Sequence, residues 1–117
     1  IVSCSKKNMV KGSAENPIRL YYMPFKGKAV FDKYAPKLEQ YIEANTGLSV
    51  ESVYADNFVS IAEAFGKRKA DVAFMNTLGY LMAHDWAKAE AQLLCLYGDV
   101  YTSYRGEILV RTDSGIN

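Results

Sequence analysis

Three times along this chain an apolar run of strand length gives way to apolar residues at helical spacing. The strand-like runs are "IRLYYM" (18–23), "LSVESVY" (48–54) and "ADVAFM" (70–75). After the first come Phe31, Tyr34, Ala35, Leu38, Tyr41 and Ile42; after the second, Phe58, Ile61, Ala62 and Phe65; after the third, a segment from about Leu78 to about Glu90. An apolar period near 3.6 marks a helix, and short bounded runs mark strands. Strands alternating with helices imply βαβ units, so the expected fold class is α/β: a three-layer, mainly parallel sheet flanked by helices. "QLLCLYG" (92–98) and "GEILVRT" (106–112) read as fourth and fifth strands.

The punctuation between these runs fits. Pro17 and Pro24 bound the first strand, Asp56 or Asn57 can cap the second helix, and Gly47 and Gly66 can end the first and second. Pro36 sits awkwardly in the first helix; it belongs in a first turn, so a late start or a kink is expected there. Residues 5–17, "SKKNMVKGSAENP", are polar with Gly and Pro and read as a linker or tether. Tyr21 and Tyr22, as neighbours on a strand, face opposite sides of the sheet under helices. Trp86 reads as a packing residue of the third helix.

Chemistry-bearing residues are few. With 117 residues, half of them hydrophobic, the chain is large enough for one domain with one core. Fourteen basic residues nearly cancel thirteen acidic ones, which argues against a general nucleic-acid or membrane-surface binder. Two cysteines and one histidine leave no metal-ligand spacing, and no cofactor motif occurs. Cys95, inside "LLCLY", reads as a small buried hydrophobe. His84 and Asp85 are adjacent on a helix and point apart, which argues against a catalytic pair. No nucleophile elbow or glycine-rich phosphate loop is present, so the chain is not expected to be an enzyme. Lys26 and Lys28, and Lys67 to Lys69, read as solvated turns.

The parallel topology has a functional consequence. All strand-to-helix loops open on one edge, and open α/β sheets bind ligands beyond the carboxyl ends of their strands. These loops are residues 24–28, 55–58 and 76–80. The third holds Asn76 and Thr77 at a helix start, with Gly79 in its first turn and Tyr80 one turn further on. Backbone N–H groups and the positive end of the helix dipole favour an anion there. Capping without a ligand explains Asn76 and Thr77 equally well.

Larger stretches resemble one family. "PIRLYYMPF", "YAPKLEQYIEANTGLSV", "YADNFVSIAEAFGKRKADVAFMNTLGYLMAH" and "YRGEILVRTDSGI" follow the order seen in the phosphonate, phosphite and phosphate substrate-binding proteins of ABC transporters. The resemblance covers about residues 16–117 and is to the N-terminal lobe. "IVSC" at the N-terminus resembles the end of a bacterial lipoprotein signal, with Cys4 as the lipidated residue. The domain reading is therefore a lipobox remnant and tether over 1–17 and an N-terminal lobe over 18–117, with the second lobe absent.

The resemblance implies an extracytoplasmic, lipid-anchored receptor that binds a small phosphorus oxyanion between two lobes and presents it to an ABC permease. It implies no enzyme chemistry. It places Tyr104 at a cleft tyrosine, Phe58 where some phosphonate binders carry a ligand-contacting tyrosine, and Asn76, Thr77 and Tyr80 at a variable helix junction. Met23, Pro24 and Phe25 match the loop that borders the cleft. A sensing module of the same fold is the alternative. The exposed cleft face of a lone lobe invites self-association.

Overall fold

The structure, a computed structural model, describes residues 10–96, 98 and 109–115. Its elements run β1 (Ile18–Tyr22), α1 (Lys28–Thr46), β2 (Val50–Tyr54), α2 (Phe58–Gly66), β3 (Val72–Phe74) and α3 (Thr77–Ala87). The strands form one sheet in the order β2-β1-β3, with both pairings parallel. The expected α/β class and its flanked parallel sheet are present.

The strand order decides where the helices lie. From β1 the chain steps to β2 on one side, then crosses back over β1 to β3. Right-handed crossovers in opposite directions put their helices on opposite faces. The register bears this out. Leu20 lies beside Ser52 and Val72, and Tyr22 beside Tyr54 and Phe74, so these side chains share one face. That face meets α1: the Phe31 ring lies 5.2 Å from Tyr22 and 5.1 Å from Tyr54. Tyr21 and Val53 face the α2 side, as the alternation requires. Helices α2 and α3 pack on each other, with Ile61, Ala62 and Ala83 fully buried.

Local chemistry sets the helix ends. Asn57 caps α2 in a capping box: its Oδ1 accepts from the Ser60 N–H at 2.9 Å, and Ser60 reaches back to the Asn57 N–H. Gly47 closes α1 in the left-handed conformation at φ 70, where a side chain would be strained. Two α1 carboxylates serve β2: Glu43 and Glu39 accept from the Val50 and Ser52 N–H groups at 3.1 and 2.7 Å. These are the donors that edge strand β2 turns away from β1, so α1 satisfies the edge that it covers.

Several sequence expectations need correction. Helix α1 starts at Lys28, not late, and carries Pro36 in its interior. Residues 92–96 form no strand, and neither do residues 109–112 of the expected fifth strand. Among the described residues Cys95 is exposed, as are Leu93, Leu94 and Leu96. Helix α3 ends at Ala87, with Lys88 left-handed at φ 57, and Trp86 is exposed rather than packed.

Residues 10–16 are not a free tether. Gly12 accepts from the Ser49 N–H at 2.8 Å, and a Ser13–Asn16 bridge closes a small turn on the amino ends of β1 and β2. Lys11 pairs with Asp71 at 2.5 Å, and the same carboxylate takes the Arg19 N–H at 2.8 Å. Cys4 lies outside the described residues.

Candidate oxyanion site at the carboxyl edge

In a 2-1-3 parallel sheet the chain leaves β1 toward one face and β3 toward the other, which opens a crevice at the carboxyl ends of this pair. The elements that flank it are the β1–α1 loop and the start of α3. The Met23 N–H donates to the Phe74 carbonyl at 3.3 Å, tying the loop to the end of β3. The Phe25 N–H returns to the Met23 carbonyl at 2.7 Å, a tight turn that carries Pro24 at its middle.

Across the crevice, Asn76 caps α3. Its Oδ1 accepts from the Gly79 N–H at 2.8 Å, and its carbonyl takes the Tyr80 N–H at 2.9 Å. The amide Nδ2 of the same side chain remains a donor chemically suited to an anion. Thr77 is exposed beside it, and Tyr80 is half-buried one turn on.

Gly79 brings a second helix start to this place. A Cβ at Gly79 would lie 3.3 Å from the Phe58 Cβ and 3.1 Å from Asn76 Oδ1. A side chain there would press its neighbours by a few tenths of an ångström, so glycine suits the close approach of the first turn of α3 to α2. Phe58, the first residue of α2, is therefore a neighbour of the α3 cap. Neither helix carries an acidic residue in its first turn. The positive dipole ends of two helices thus converge on one edge with no first-turn carboxylate to occupy them.

The structure brings Met23, Pro24, Phe58, Asn76, Thr77 and Tyr80 to this one edge. Tyr104 lies outside the described residues. Sequence reading missed the α1 side of the edge. There an open groove of about 280 Å³ runs between α1 and the carboxyl ends of β1 and β2, lined by Met23, Phe25, Lys26, Val30, Tyr34 and others. The signal was present as Val30 and Tyr34 at helical spacing. The Tyr22 and Ser52 hydroxyls are buried nearby, neither in hydrogen-bond geometry with a partner. Burial pushes the Tyr22 pKa up; the proximity of Ser52 opposes this and the Glu39 charge adds to it. Among the described residues no three His, Cys, Asp or Glu side chains cluster as a metal site, and no helix is long and apolar enough to cross a membrane.

This α/β lobe, with its paired helix starts at a topological switch point, has the architecture of a binding lobe. Residues 20–117 match the family described as ABC transporter, phosphonate, periplasmic substrate-binding protein, and the chain belongs to that family. Two solved structures share its fold. One is PhnD1 from Prochlorococcus marinus in complex with methylphosphonate: 14% identical, TM-score 0.56, covering 59% of this chain and 25% of that one. The other is a binding protein component of an ABC phosphonate transporter from Pseudomonas aeruginosa: 19% identical, TM-score 0.54, covering 61% and 24%. The matched region spans about a quarter of each of these proteins. No curated protein matches the chain.

Proposed function

We propose that this chain is part of the extracytoplasmic receptor of an ABC importer for phosphonate-like oxyanions. The ligand class is phosphonate, phosphite or phosphate, and the crevice at the β1/β3 carboxyl edge contributes to the seat. The observation that carries this reading is the convergence of the α2 and α3 starts, joined through Gly79 and Phe58, opposite the Met23–Phe25 turn. An oxyanion there would take the Asn76 amide and the Thr77 and Tyr80 hydroxyls. Charge-assisted hydrogen bonds from neutral donors are strong without the desolvation cost of a buried lysine. Tyr104 would complete the seat, a second lobe would close over it, and an ABC permease would receive the ligand. Cys4 would carry a lipid that holds the receptor at the outer face of the membrane.

The test uses a substitution that keeps the cap and spoils the seat. Asn76→Asp retains an oxygen for the Gly79 N–H, since aspartate caps as well as asparagine, but sets a negative charge against the ligand. In a two-lobed protein carrying this lobe, calorimetry should show micromolar or tighter binding of one phosphorus oxyanion, with sulfate silent. Asn76→Asp should then weaken binding by at least about 1.5–3 kcal/mol, the worth of one lost charge-assisted hydrogen bond, with thermal stability retained. Unchanged affinity would remove Asn76 from the site. Silence toward phosphate, phosphite, methylphosphonate and 2-aminoethylphosphonate alike would reject the ligand class.

A further inference from the structure

We propose that the open groove beside α1 takes the organic substituent of the ligand, so that the receptor favours phosphonates with an uncharged aromatic substituent over methylphosphonate and aminoalkylphosphonates. This rests on the oxyanion seat proposed above and adds to it the place of the substituent.

The same chain segments frame the seat and the groove. Met23 is tied to the end of β3 through its N–H and also lines the groove. Tyr54 ends β2 and lines the groove as well, and the short connection that leaves it leads to Phe58 at the start of α2. The seat lies at the gap between β1 and β3, and the groove at the gap between β1 and β2. Neighbouring gaps of a sheet are one strand spacing apart, about 4.8 Å. A methyl group on a phosphorus atom seated at the first gap falls short of the second, whereas a ring reaches it.

The lining selects the kind of substituent. Its inner part is a packed aromatic cluster, with the Phe31 ring 5.2 Å from Tyr22 and 5.1 Å from Tyr54. Its lips, Phe25, Val30 and Tyr34, are exposed. The Lys33 and Lys37 ammonium groups lie 5.2 and 5.5 Å from the centre of the Tyr34 ring and hold it by cation–π attraction. A guest ring would cover this apolar surface and meet aromatic partners. The groove holds about 280 Å³, and an apolar cavity of roughly 150 Å³ already admits benzene. No carboxylate lines it, and its charged residue is Lys26. An ammonium substituent would therefore enter without a counter-ion and beside a like charge. An uncharged ring meets neither cost.

Calorimetry on a two-lobed protein carrying this lobe tests the proposal with phenylphosphonate, methylphosphonate and 2-aminoethylphosphonate. Phenylphosphonate should bind at least about tenfold tighter than methylphosphonate, the low end for added carbon in an apolar pocket. The aminoethyl compound should gain nothing over methylphosphonate. Val30→Gln sets an amide at the lip; the position is exposed and glutamine forms helix more readily than valine, so the fold should hold. That variant should erase the preference for the ring, and Val30→Leu should keep it. The readout is the ratio of two ligands on one protein, which a general loss of stability does not imitate. Phenylphosphonate no tighter than methylphosphonate, a tighter aminoethyl compound, or a preference that survives Val30→Gln would each overturn the groove and leave the seat standing. Silence toward all three ligands would sink the seat itself, and the groove with it.

Discussion

At the residue scale, Asp71 is the most connected side chain of the amino edge. Burial by itself raises its pKa; the Lys11 hydrogen bond, the Arg19 N–H and the two positive charges outweigh burial and hold it below its ordinary value near 3.8. A depressed folded-state pKa stabilises the fold above the unfolded value, and that contribution is lost as pH falls through the folded one. Asp71 should therefore contribute in full near neutrality and lose its share below about pH 4. Asp71→Asn should cost about 1 kcal/mol at pH 7, the low end for a charged hydrogen bond, because solvent reaches the group. Denaturant titrations at pH 7 and pH 3 check this: the difference between variant and parent should shrink at the lower pH. A constant difference would mean that the charge does not matter.

Tyr22 makes the opposite case at the same scale. Its ring packs between Phe31 and Phe74, but its hydroxyl is buried and, among the described residues, is not in hydrogen-bond geometry even with the neighbouring Ser52 hydroxyl. An unsatisfied buried hydroxyl costs free energy that phenylalanine avoids at nearly the same volume. Tyr22→Phe should leave the melting temperature unchanged or raise it, by up to about 1 kcal/mol in stability. A clear loss would show that the hydroxyl has a partner in solution.

At the scale of elements, what the sequence disclosed and what it hid separate by range. Asn57, Asn76 and Gly47 act on groups within a few residues of themselves, so their roles were legible from local spacing. The 2-1-3 order was not, but alternation alone placed three loops on one edge, which brought the candidate site within reach. The turn over 10–16 and its hold on the amino edge escaped because Lys11 and Asp71 are sixty positions apart and Gly12 reads as any linker glycine. The stretch 93–96 misled because an apolar run states only that burial is wanted, not that a partner is present. Pro36 misled through its local preference. It occupies the interior of a nineteen-residue helix that its flanking residues, the Gly47 cap and the Tyr22–Phe31–Tyr54 packing hold in place. The missing N–H and the ring clash are a standing cost, commonly about 3 kcal/mol in a helix interior. Pro36→Ala should stabilise the chain by about 1–3 kcal/mol, less whatever the packing has already relaxed. Calorimetric melting checks the sign; a lower melting temperature would mean that Pro36 itself serves the packing.

For the whole molecule, the two edges of the sheet are treated differently. The Glu39 and Glu43 carboxylates occupy the outward N–H groups of β2, and α1 lies over that strand. Among the described residues strand β3 has no such cover: Val72 and Phe74, on the face that α1 shares with Tyr22, are 50% and 42% exposed. Beyond them Leu78, Leu81 and Trp86 are exposed on α3, and Leu93 and Leu94 on the stretch that follows. Parallel sheets are normally covered on both faces, and an open apolar edge is a template for pairing. The isolated 117-residue chain should therefore associate as its concentration rises, through β3 rather than β2. Sedimentation velocity across a hundredfold dilution series should show the average mass climbing. Val72→Lys, which sets a charge on the open edge, should hold the chain monomeric over the same range. Its side chain is already half-exposed, so folding should survive the change. Glu39→Ala, which unmasks an N–H group of β2, tests the asymmetry from the other side. If β2 is kept out of pairing by its carboxylates, that variant should associate at lower concentration than the parent, and a monomeric parent at every concentration would show that the β3 edge is blocked in solution.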